Sequence, residues 1–149
     1  MVVIKRNYFP YLKLPISKKA FGSNKTWRGF IFIPIANAII LLAIDLTSYL
    51  NIVNPLRLGL TLGIAYMFFE LPNSFIKRRL RIKSGEQSQS NKILFSLIDK
   101  TDSAFGVNLI YYLMGFVNLK YAIVLFVCSS LTHVLMSKLL VRFKLKKSF

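Results

Sequence analysis

The stretch 29–50 constrains the fold most, because its 22 residues carry a single charged side chain, Asp45. As a helix, a segment of that length and composition can cross the hydrocarbon layer of a membrane, which is about 30 Å thick. Comparable apolar stretches follow, and we predict spans near 29–50, 58–75, 98–118 and 121–141. The sequence therefore predicts an all-α integral membrane protein, a single membrane domain over residues 1–149 with about four transmembrane helices.

The basic residues are distributed so that they orient this domain. Of the 21 Lys and Arg residues, only Arg57 and Lys120 fall in the first and third connections between the predicted spans. The others lie before the first span, in or next to the basic loop 77–97, or near the basic tail 142–149. Because Lys and Arg concentrate on the cytoplasmic side of membrane proteins, both termini and this loop are predicted to face the cytoplasm from the cell or inner membrane.

The net charge of +16 bears on the partners of the protein. In a soluble protein such a charge suggests nucleic-acid binding. Here a membrane would bring the bases onto one side, so anionic lipid headgroups, and anionic substrates working there, are the expected partners, and nucleic acid is not.

Two segments outside the spans have contrasting compositions. Residues 1–28 mix bases with aromatic side chains, as expected of a cytoplasmic segment that lies at the membrane surface. Residues 84–92 are polar and contain no apolar side chain. This second segment is either a mobile flap over a nucleotide site or a passive connector.

Three of the five acidic residues stand at the inner ends of two apolar stretches, on either side of the basic loop: Glu70, Asp99 and Asp102. A carboxylate at the end of a membrane helix is costly unless it meets a cation or water, so these positions require partners. Asp99 and Asp102 have the spacing of neighbours on one helix face, which suits a paired carboxylate site for Mg²⁺, with Glu70 as the third carboxylate. The simpler alternative is that both aspartates are helix-start residues favoured by the helix dipole.

The residues after Glu70 continue one helix face. Spacings of three and four residues bring four side chains onto one wall: Glu70, Ser74, Lys77 and Arg78. A carboxylate, a hydroxyl and two cations arranged in this way suit a metal and a phosphate. The alternative is that the run 77–83 is only the positively charged anchor that sets the topology.

The stretch 21–29, immediately before the first span, reads Phe-Gly-Ser-Asn-Lys-Thr-Trp-Arg-Gly. Its glycines allow a tight backbone, while cations and a hydroxyl stand close to a helix N-terminus, so these are the parts of an anion site. The groups concerned are Lys25, Thr26 and Arg28. The alternative is that Trp27 and the two bases anchor the helix at the membrane interface.

In these motifs the sequence resembles the CDP-archaeol synthase family, relatives of the phosphatidate cytidylyltransferases. The resemblance rests on the motif at 21–29, on Ser-Phe-Ile-Lys-Arg-Arg at 74–79 with Gly85, and on Leu-Ile-Asp-Lys-Thr-Asp at 97–102. The order of the motifs and their placement relative to the apolar stretches also match the family.

The resemblance implies an integral membrane enzyme that reacts CTP with a phosphorylated lipid, either phosphatidate or archaeol phosphate, and releases pyrophosphate with the help of Mg²⁺. It assigns Lys25, Thr26 and Arg28 to a substrate loop, Ser74, Lys77 and Arg78 to phosphate binding, and Asp99 and Asp102 to the metal. We expect the lipid phosphate oxygen to attack the α-phosphorus of CTP, a reaction that needs alignment and charge neutralisation rather than a covalent nucleophile. The expected catalytic residues are Glu70, Lys77, Asp99 and Asp102, with Glu70 also a metal ligand.

The chain departs from the family pattern in two places. The family usually has Gly-Asp four residues before the matched Ser74, where this chain has Phe69 and Glu70, so the longer side chain shifts the carboxylate. Family members also tend to carry a further span ahead of the 21–29 motif, and we expect either a truncated start or a reduced variant. The alternatives are an inactive relative, or a small membrane scaffold or transport subunit with a basic, lipid-binding cytoplasmic face. A homodimer is left open.

Overall fold

The computed structural model describes residues 10–48, 51–82, 84 and 92–143. These residues form a short 3-10 helix, Pro10–Lys13, and then four long helices: α1 (Trp27–Ser48), α2 (Pro55–Arg79), α3 (Lys92–Leu113) and α4 (Leu119–Arg142). The all-α prediction is therefore confirmed. Most of the polar stretch 84–92, with Gly85, and most of the basic tail lie outside the described residues.

Two of the four helices, α1 and α4, are long and apolar enough to cross a membrane. Their large apolar side chains are mostly uncovered, as Ile39 and Leu135 illustrate, each with 59% of its surface exposed. Exposed apolar surface of this extent suits contact with lipid rather than water. Together with its composition, this surface fits a membrane protein, while crossing of the bilayer by α2 and α3 as well stays a prediction.

The helices pack in chain order, α1 on α2, α2 on α3 and α3 on α4. Small residues bring α1 and α2 close together, because a Cβ added at Gly63 would lie 2.5 Å from the Cα of Pro34. The side chain of Asn37 on α1 donates a hydrogen bond to the carbonyl of Gly59 at 2.9 Å. Close backbone approach and interhelical hydrogen bonds of this kind hold helices together where burial of apolar surface from water cannot.

Asp45, the single charge in the first apolar stretch, has a structural role. Its side chain accepts a hydrogen bond from the backbone nitrogen of Ile52 at 2.8 Å, in the connection between α1 and α2. The carboxylate therefore satisfies a backbone donor in a turn, at the end of α1 remote from residues 21–29.

The start of α3 decides between two interpretations of the acidic residues. The helix begins at Lys92, so Asp99 and Asp102 lie about two and three turns inside it. The favourable interaction with a helix dipole is confined to the first turn. The interpretation of these aspartates as helix-start residues is therefore wrong, and their charge needs another explanation.

Candidate functional site

The segment before α1 folds back on itself and fixes the position of Lys25. The backbone nitrogen of Ile16 donates to the carbonyl of Lys25 at 2.9 Å, and that of Trp27 donates to the carbonyl of Leu14 at 3.1 Å. These bonds pair the two sides of the segment in an antiparallel manner and lead directly into α1. Thr26 caps the helix, with its hydroxyl accepting from the nitrogen of Gly29 at 3.4 Å.

The side chain of Lys25 forms an ion pair with Glu70 on α2. Both side chains are about one-fifth exposed, with relative surfaces of 20% and 21%. Glu70 thus has the cationic partner that a carboxylate next to an apolar helix segment requires. The Tyr66 hydroxyl, one turn earlier on α2, lies close enough to the side chains of Glu70 and of Ser103 on α3 to interact with both.

One turn after Glu70, Asn73 joins α2 to the acidic residues of α3. Asn73 is 8% exposed, and its Nδ2 donates to Oδ1 of Asp99 at 2.6 Å and to Oδ2 of Asp102 at 2.9 Å. We call Asp99 and Asp102 the aspartate pair. Since both carboxylates direct an oxygen at the same nitrogen atom, the aspartate pair converges on one point at the surface of α2.

Lys77 completes this group one turn further along α2. Its ammonium forms an ion pair with Asp99 and lies 5.9 Å from the centre of the Phe95 ring. The Lys77 side chain is only 11% exposed, whereas that of Asp99 is 37% exposed. In this ion pair the Lys77 ammonium is therefore the more buried group, and the Asp99 carboxylate is the more exposed one.

The other motifs meet at the end of α2. Gly22, with a φ of +85°, packs so closely that a Cβ there would lie 3.1 Å from Nε of Arg78. The backbone nitrogen of Ser23 donates to the hydroxyl of Ser84 at 3.1 Å, and the rings of Phe21 and Phe75 are 6.5 Å apart. The structure thus brings the 21–29 and 74–79 motifs together, although they are far apart in sequence.

Arg78 has an unused donor at this junction. Its Nη1 donates to the carbonyl of Ile82, while Nε is buried and has no hydrogen-bond partner among the described residues. A buried, unpaired guanidinium nitrogen is costly and marks a place where a further acceptor is expected. Phosphate oxygens are well suited to that position.

Ser74 and Arg28, two of the predicted site residues, belong to neither of the two ion pairs. The Ser74 hydroxyl donates to the carbonyl of Glu70, one turn earlier in its own helix, at 3.0 Å. Arg28 lies in the first turn of α1 and is half-buried. Apart from Thr26, which caps α1, the remaining predicted site residues are grouped around α2 as two ion pairs, Asp102 beside one of them, and Arg78 next to Gly22.

The aspartate pair offers oxygen ligands of the kind that Mg²⁺ prefers. Asp102 lies close enough to Glu70 and Asp99 for their charges to interact. However, within the described ranges no three His, Cys, Asp or Glu side chains are grouped with the spacing of a metal site. Two carboxylates with the amide of Asn73 in contact with both are the groups here that would hold a hard cation.

Sequence reasoning missed Asn73, Tyr66 and Ser103. The signal for Asn73 was available, because it stands three residues after Glu70 and four before Lys77, on the face already considered. Ser103, which is 1% exposed, and Tyr66 carried no such signal, since hydroxyl side chains are common in membrane helices for packing alone.

A cavity of about 470 Å³ lies elsewhere, between α1, α2 and α3. Its lining is mainly apolar and includes Leu41, Leu62 and Val107. Leu62 is about three turns of α2 away from Asn73, so this cavity lies towards the other end of the helix. The charged groups described above do not line it.

The chain is similar to known proteins over most of its length. A family model described as CarS-like CDP-archaeol synthase matches residues 13–149. The CDP-archaeol synthase of Staphylothermus marinus is 35% identical over 98 residues, which cover 66% of this chain and 51% of that protein. The matched segment thus spans about half the length of that relative. No solved structure shows a significant match.

Proposed function

Because this chain belongs to the CDP-archaeol synthase family, we propose that it is a CTP-dependent cytidylyltransferase acting on a phosphorylated lipid. The product would be a CDP-activated lipid, with pyrophosphate as the second product. The observation that carries the proposal is the convergence of the aspartate pair on α2, directly beside Lys77. Carboxylates next to fixed cations are the groups that transfer of a nucleotidyl phosphate requires.

The substrate is proposed to be archaeol phosphate or phosphatidate. The relative from Staphylothermus marinus is named for CDP-archaeol, and a lipid product of this kind demands an enzyme in contact with a membrane. The exposed apolar surfaces of α1 and α4 provide that contact. The lipid phosphate would then approach the charged cluster from the membrane surface.

Mg²⁺ is the cofactor that we propose for the aspartate pair, and it would supply neutralisation of the charge on the triphosphate. Glu70 was expected to be a third carboxylate ligand, and in this structure its partner is Lys25. Either Glu70 leaves Lys25 when the site is loaded, or the α2 ligand is a different residue.

Two carboxylates of the cluster have cationic partners without a substrate, because Lys25 pairs with Glu70 and Lys77 pairs with Asp99. A divalent cation and a nucleoside triphosphate carry opposite charges, so together they can replace the partners in the ion pair of Lys77 and Asp99. Lys77 would then be released from Asp99 to a phosphate group, while Lys25 stays beside Glu70 at the edge of the site. Both ammonium groups would hold the triphosphate while the lipid phosphate attacks its α-phosphorus.

Arg78 is proposed to bind a phosphate oxygen through its buried Nε. The loop that carries Lys25 packs against this guanidinium at Gly22, so both groups address the same side of the cluster. We propose that this side of the cluster faces the cytoplasm, as the distribution of basic residues predicts.

The test is pyrophosphate release by the purified full chain in detergent, supplied with CTP, Mg²⁺ and either archaeol phosphate or phosphatidate. We expect release that depends on both the lipid phosphate and Mg²⁺, and that is lost in Asp102→Asn. Release from neither lipid would contradict the proposal and favour an inactive relative or a membrane scaffold. Release that is equal without lipid would indicate CTP hydrolysis instead.

A further inference from the structure

We propose that Asn73, rather than Glu70, supplies the α2 ligand to the divalent cation at the aspartate pair. This inference rests on the proposed function, since it concerns the metal site of the same reaction. It assigns to Asn73 a role that neither the sequence motifs nor the position of the family's carboxylate indicates.

The first observation is the position of the Asn73 amide. Its Nδ2 lies 2.6 Å from an oxygen of Asp99 and 2.9 Å from an oxygen of Asp102. The two carboxylates therefore share one neighbour on α2, and that neighbour is Asn73. Lys77, the other α2 side chain at this place, is paired with Asp99 and carries a positive charge, so Asn73 is the neutral α2 group that contacts both carboxylates.

The second observation is the chemistry of the amide. In the present arrangement Asn73 donates N–H to both carboxylates, and so keeps two anions close together in the absence of a metal. A half-turn of the amide about its terminal torsion exchanges nitrogen for oxygen. The same side chain then presents a carbonyl oxygen, a ligand that Mg²⁺ and Ca²⁺ accept from Asn.

The third observation is the occupation of Glu70. Its carboxylate already forms an ion pair with Lys25, and the Tyr66 hydroxyl lies close to it. Asn73 is buried, with 8% of its surface exposed, and its described hydrogen bonds go to the aspartate pair alone. Of the two residues, Asn73 is thus the one committed to the carboxylates of α3.

This arrangement explains how the chain can keep a metal site with Glu where the family usually has Asp. The longer side chain extends to the loop before α1 and holds Lys25 there. The residue one turn further along α2 takes over the contact with the aspartate pair. The exchange moves the α2 ligand by three residues but keeps it on the same helix face.

The experiment measures binding of Mn²⁺ alone to the full chain in detergent, by the electron paramagnetic resonance signal of the free ion. Mn²⁺ is the probe because it accepts the same oxygen ligands as Mg²⁺. We expect Asn73→Ala to weaken binding about tenfold or more. Glu70→Gln should weaken it less than Asn73→Ala does. Asp102→Asn, which removes a ligand charge, is the reference for loss of the site.

Two further variants control for a purely structural effect. Asn108→Ala removes an amide that likewise bridges two helices, because Asn108 donates to the hydroxyl of Ser129 on α4 at 2.9 Å. It should bind Mn²⁺ as the wild type does. Asn73→Asp keeps an oxygen ligand but loses both N–H bonds, and should retain Mn²⁺ binding while lowering the thermal stability of the metal-free protein.

The inference is overturned if Glu70→Gln weakens Mn²⁺ binding as much as Asn73→Ala, or if Asn108→Ala does. It is also overturned if Asn73→Asp fails to bind, which decides the question should Asn73→Ala not fold. Saturable Mn²⁺ binding that depends on Asn73, without any CTP turnover, would support the inference and contradict the proposed function. CTP turnover together with Mn²⁺ binding that does not depend on Asn73 would support the proposed function and contradict this inference.

Discussion

Lys25, in the loop before α1, forms an ion pair with Glu70 on α2, although 45 residues separate them in the chain. The pair connects the first sequence motif to the second at the edge of the acidic cluster. It places an ammonium group, held in a loop of defined backbone, beside the residues proposed to bind CTP. The first prediction follows from this position.

Replacement of Lys25 by Gln should raise the KM for CTP by about tenfold or more, since a charge-assisted hydrogen bond contributes about 1.5–3 kcal/mol. The measurement is the rate of pyrophosphate release as a function of CTP concentration. Lys19→Gln is the matched control, because Lys19 is an exposed base of the same segment. An equal rise in KM in both variants would show that only the general positive charge attracts CTP.

Removal of either charge of the aspartate pair should abolish turnover. Asp99→Asn and Asp102→Asn hardly change side-chain volume, but each removes a ligand charge, so we expect at least about a hundredfold loss of CTP turnover. Membrane insertion, followed by fractionation and detergent extraction, should be unchanged. Near-normal activity in both variants would rule out the metal assignment.

Packing of α2 on α3 should be disturbed when Gly106 is replaced by a residue with a side chain. A Cβ at this position would collide with the ring of Phe69, so Gly106→Ala should lower the free energy of unfolding by about 1–3 kcal/mol. Thermal unfolding in detergent measures the effect. In a Phe69→Ala background the ring is absent, and the same substitution should cost much less. An identical cost in both backgrounds would mean that the ring is not the obstacle.

Topology provides a test that is independent of chemistry. The distribution of Lys and Arg predicts that a reporter fused after Phe149 and one inserted at Gln89 both lie in the cytoplasm. Because α1 and α4 are the two helices that satisfy length and composition for a span, the positions of α2 and α3 relative to the membrane depend on this result. Labelling of the two reporters on opposite sides would refute four spans.

The helices and the shared faces of the cluster could be predicted from the sequence, because apolar length and spacings of three and four residues determine them. The cation that pairs with Glu70 could not be singled out, since bases lie both in the first loop and along α2. The helix α3 begins at Lys92, ahead of the span predicted near 98–118, because that span was drawn from apolar length alone and Ser96 interrupts the apolar residues before Asp99. Asn73 could not be assigned to the cluster from its type alone, because an uncharged amide on a membrane helix also serves ordinary contacts between helices.

Transfer of label from CTP to the lipid tests the central claim most directly. The full chain in detergent is incubated with Mg²⁺, archaeol phosphate or phosphatidate, and CTP labelled at either the α- or the γ-phosphorus. Attack of the lipid phosphate on the α-phosphorus predicts that the α-label enters the organic phase as a CDP-lipid, whereas the γ-label stays in water as pyrophosphate. Entry of the γ-label into lipid, or absence of both labels from the organic phase, would contradict the account.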